Sequence, residues 1–64
     1  MNIEQFMEYL HQNFTIDRAT SSLIRNILDY ARTFVAEDQQ YEFLCKTLDG
    51  TIGLSDREIR MICL

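Results

Sequence analysis

The stretch Leu23-Ile24-Arg25-Asn26-Ile27-Leu28-Asp29-Tyr30-Ala31-Arg32-Thr33-Phe34-Val35 decides how this chain folds. Leu23, Ile24, Ile27, Leu28, Ala31, Phe34 and Val35 recur at the spacing of a helical face. At 100° per residue they cover a stripe roughly 140° wide. A stripe that broad is expected to touch two neighbours, so this segment reads as the central helix, over residues 18–35. Its polar side carries Arg18, Arg25 and Arg32, spaced by seven.

On the N-terminal side, Thr15 or Asp17 can open this helix, and Thr20, Ser21 and Ser22 cost little in a first turn. Before them, Ile3, Phe6, Met7, Leu10 and Phe14 form one face of a first helix over 3–14. Asn2 and Gln5 make a capping pair at its start. Tyr9 falls outside that face. On the C-terminal side, Ala36-Glu37-Asp38 is a polar break, with Asp38 the expected cap of a third helix over 39–49. Tyr41, Leu44, Cys45 and Leu48 point inward there, Phe43 points away, and Gly50 stands at the expected C-cap. Ser55 with Glu58, and Leu54 with Ile59, form a capping box and hydrophobic staple for a fourth helix over 56–63. Ile59, Ile62 and Cys63 face inward and Met61 outward. With no strand-like alternation, residues 1–64 are expected to form a single all-α domain. It is a compact bundle of three main helices plus a short C-terminal fourth helix.

Composition narrows the function classes. The chain has 64 residues, 47% of them apolar and 25% charged, with no proline and a net charge of −4. It is too apolar to be a disordered tail and too short for a two-domain enzyme. The acidic balance argues against nucleic acid as a partner. No apolar run approaches the ~18 residues of a membrane span, and no secretion signal is evident. The expectation is a cytoplasmic protein without membrane contact, its two cysteines reduced. A domain this small buries about 60% of its unfolded surface, and self-association is a common remedy for so thin a core.

Several strings look like chemistry. Asp49-Gly50-Thr51-Ile52 resembles part of a calcium loop, but the register puts Cys45 and Thr47 where carboxylates belong and Asp56 where a Glu is required. Gly53-Leu54-Ser55-Asp56-Arg57-Glu58-Ile59 looks like the support helix of LuxR-type regulators, yet only five residues follow, too few for a recognition helix. A reader helix over 54–64 would carry Asp56 and Glu58 beside Arg57 and Arg60, without a basic footprint. Asn13-Phe14-Thr15 matches a glycosylation acceptor but reads as a helix end. Cys45 and His11 are the one nucleophile–base pair on offer, and Cys45 lies on an apolar face where cysteine acts as a small hydrophobe. One His and two Cys do not fill a zinc site. No enzyme activity, cofactor or metal is expected.

Tyr9, Phe43, Met61 and Leu64 remain outside the core faces. Aromatic and Met side chains are enriched in interface cores, so these four are the candidate partner-binding residues. The alternative is the Arg18, Arg25, Arg32 stripe, whose guanidinium groups recur every ~10.5 Å and could meet phosphates. Asp29 and the acidic residues of the third helix stand ready to neutralise it.

The runs Met1-Asn2-Ile3-Glu4-Gln5-Phe6-Met7-Glu8-Tyr9-Leu10 and Leu48-Asp49-Gly50-Thr51-Ile52-Gly53-Leu54-Ser55-Asp56-Arg57-Glu58-Ile59-Arg60 resemble short uncharacterised proteins encoded by mobile elements of Gram-positive gut bacteria. The resemblance implies a complete small accessory protein and carries no activity or site residues. The expected function is a non-catalytic protein–protein interaction module, either a homodimer or a small regulator that binds a larger protein. The alternative is a nucleic-acid-associated accessory protein using the arginine stripe.

Overall fold

Four helices form where the apolar periodicity places them. The computed structural model describes residues 1–49 and 51–63. Helix α1 spans Ile3–Asn13, α2 Arg18–Phe34, α3 Gln40–Leu48 and α4 Asp56–Cys63. Among the described residues there is no strand, so the protein is an all-α bundle of three main helices and a short fourth. Its radius of gyration, 10.7 Å, matches the roughly 10.7 Å of a compact chain this long.

Local chemistry sets the boundaries. The Asn2 side chain accepts from the Gln5 amide at 2.7 Å, and the Gln5 side chain accepts from the Asn2 amide at 3.2 Å. This reciprocal pair satisfies two of the amides that a helix start leaves without partners. Asp17, not Thr15, caps α2, accepting from the Thr20 amide at 2.7 Å. At the other end of α2, the Gln40 amide group donates to the Ala31 and Val35 carbonyls, both at 3.1 Å. The first residue of α3 thereby closes the last turn of α2.

Two boundaries differ from expectation. Asp38 does not cap α3. It lies within a 3-10 turn, Glu37–Gln39, and α3 begins after Gln39 with no side-chain cap. At α4, the Ser55 hydroxyl donates to the Glu58 carboxylate at 2.5 Å, so the two side chains of the expected capping box meet each other. Neither bonds a backbone amide among the described residues. The helix still starts after Ser55, whose carbonyl accepts from Ile59 at 3.2 Å. The expected C-cap at Gly50 lies outside the described residues. Gly53, in the turn before α4, adopts a φ of +71°, a left-handed conformation that a Cβ would oppose.

Helix α2 packs against α1 and α3, and α4 contacts α3 and α1. Each helix contributes to one continuous core: Phe6, Met7 and Leu10; Ile24, Leu28 and Ala31; Leu44 and Leu48; Ile59 and Ile62. No polar or charged side chain is buried among the described residues. Leu54, the residue before Ser55, is half-buried and packs against this core, to which Ile59 also belongs.

Leu23 and Phe34 depart from the expected stripe. They are 52% and 73% exposed. Ile24, Leu28 and Ala31 take the buried positions of α2, while neither Leu23 nor Phe34 packs against the core.

The caps differ in a way that stability measurements detect. Asn2→Ala removes the amide acceptor and is expected to cost about 1 kcal/mol, the usual effect of a lost N-cap. Ser55→Ala removes only a bond between two side chains and should cost a few tenths of that. Urea unfolding of the two variants beside wild type checks the order.

Candidate interaction surface

The apolar residues of α2 lie on two seams. The inner seam is Ile24, Leu28 and Ala31, continued by half-buried Val35. The outer seam is Leu23, Ile27, Tyr30 and Phe34, with the same 4-3-4 spacing. On a helical wheel the two are about 100° apart. Tyr30 is 52% exposed, like Leu23, and Ile27 is half-buried. Beside the outer seam stand Ala19, Ser22, Asn26 and Thr33, all exposed and all uncharged. The four charged residues of α2, Arg18, Arg25, Asp29 and Arg32, fall on the other flank of the helix.

Helix α3 extends this face. Tyr30 packs on Phe34 with ring centroids 5.1 Å apart and stacks with Phe43 of α3 at 5.6 Å. The three rings line an open groove of about 510 Å³ with Gln39, Glu42 and Lys46 on its α3 side. Glu42 and Lys46 pair with each other at 3.1 Å across one helical turn. This cluster sets exposed aromatic side chains beside a polar rim, an arrangement found at protein interfaces.

The residues expected at a partner site are distributed differently. Tyr9, Phe43 and Met61 are half-buried and pack against the core, not outside it. Tyr9 stacks on Phe6 at 6.3 Å, and Phe43 turns to Tyr30. Leu64 lies outside the described residues. Only Phe43 joins the exposed aromatic face. Tyr30 and Phe34, its main members, were not singled out by the sequence reading, although the second 4-3-4 series was present in it.

The arginine stripe is largely engaged within the fold. Arg25 pairs with Glu4 of α1 at 2.5 Å, with neither Asp29 nor α3 as its close partner. Arg32 donates to the Met1 and Ile62 carbonyls, both at 2.9 Å, binding the chain start to the last turn of α4. Arg18 is exposed and makes no ion pair among the described residues.

Cys45 and His11 do not form a pair. His11 Nε2 lies 2.9 Å from the Ser21 hydroxyl, and Cys45 packs against the core from α3. Both cysteines are free thiols. Burial pushes the Cys63 thiol up, and the nearby Cys45 adds to the effect, which keeps it protonated and a weak nucleophile at neutral pH. Among the described residues, no His, Cys, Asp and Glu side chains group as a metal site would require, and no helix is long and apolar enough to cross a membrane.

No protein-family model, curated protein or solved structure matches this chain.

Hydrogen bonding from Arg25, aided by its charge, lowers the Glu4 carboxyl below its ordinary range, and the Thr20 amide does the same for Asp17. A carboxyl depressed in the folded state adds stability above its unfolded pKa and loses it as pH falls through the folded value. The melting temperature should therefore hold down to about pH 5 and decline below roughly pH 4. Glu4→Gln should reduce the decline and remove the part that added salt screens. For Arg32→Ala, hydrogen exchange at the amides of α4 should quicken more than in α1 or α2, with a global loss of about 1 kcal/mol.

Proposed function

We propose that this domain is a non-catalytic protein–protein interaction module and that its contact surface is the outer face of α2 with the aromatic groove against α3. The observation that carries the reading is Phe34, 73% exposed in a chain with few large apolar side chains to spare. Burying such a ring contributes about 1.5–3 kcal/mol, a large share of the stability of so small a domain. Leaving it in water, beside Tyr30 and Phe43, is reasonable for a surface that another protein covers. The α2 part of this face carries no charge, which supports the same reading, because the centres of protein interfaces are depleted of charged residues.

A nucleic-acid partner has less in its favour. Arg25 and Arg32 already hold Glu4 and two backbone carbonyls. Of the stripe that leaves Arg18, in a chain of net charge −4, and phosphate recognition depends on a concentration of basic residues.

The test is selection of displayed random peptides on the immobilised domain at nanomolar concentration, with Phe34→Asp as the control. Phe34 is a surface residue, so the variant should keep its circular dichroism and melt within about 2 °C of wild type, as surface changes generally do. The expected result is peptides that bind wild type and lose at least tenfold in affinity on Phe34→Asp. Peptides that bind both proteins equally, or no enrichment on wild type, would count against this surface.

A further inference from the structure

We draw no further inference here: the strongest candidate, the open aromatic groove between α2 and α3 lined by Tyr30, Phe34 and Phe43, belongs to the surface already described, and because its charged lining residues, Glu42 and Lys46, pair with each other, nothing in the structure shows what covers it.

Discussion

Ile24, Leu28 and Ala31 are the contact on which the fold depends. They lie on one seam of α2, at 17 residues the longest helix among the described residues, and α2 packs against both α1 and α3. Helix α4 reaches the same core from the far side through Ile59 and Ile62. With ten buried apolar side chains and no buried polar one among the described residues, the core is held by close packing and the hydrophobic effect, without internal hydrogen bonds to fix its arrangement. Specificity is supplied at the edges. Asn2 and Asp17 set where helices begin, Gln40 closes the end of α2, and Arg25 and Arg32 tie α2 to its neighbours. Each of these polar contacts is modest in water, but together they favour one packing of a core that is itself indifferent to small slips.

The number, order and limits of the helices were legible because they rest on local chemistry. Periodicity and turn residues placed α4 at 56–63 and the other boundaries within a residue or so. The caps at Asn2 and Asp17 require only the spacing of neighbouring residues. What was not legible was how much of an apolar arc its neighbours cover. The stripe on α2 was correctly expected to touch two elements, yet those elements do not cover its whole width, so Leu23 and Phe34 are left outside. For the same reason Tyr9, Phe43 and Met61, which a wheel sets outside each helix's own stripe, are reached by neighbouring helices at angles that no single-helix diagram contains.

The arginines illustrate a second limit. Their spacing of seven aligned them on one flank of α2 and suggested a common task. The partners of Arg25 and Arg32 lie 21 to 31 residues away in the chain, and two of them are backbone carbonyls, groups that every residue carries and no sequence pattern marks. A run of like charges therefore became two separate cross-links and one exposed residue, with the uncharged flank of the same helix left open.

The Arg32 contact has a topological consequence. One guanidinium nitrogen lies 2.9 Å from the carbonyl of Met1 and 2.9 Å from that of Ile62. Those two oxygens are therefore within about 6 Å of each other, although the residues are separated by nearly the whole chain. Polypeptide joined before residue 1 and after the end of α4 would leave the domain from adjacent points. Domains with adjoining ends can be seated within a surface loop of a host protein with little strain on either. They can also be closed into a ring by a short linker, at a small cost in closure entropy. In this architecture such a graft would be anchored on the side of α2 that bears Arg32, leaving the Tyr30–Phe34 side facing outward.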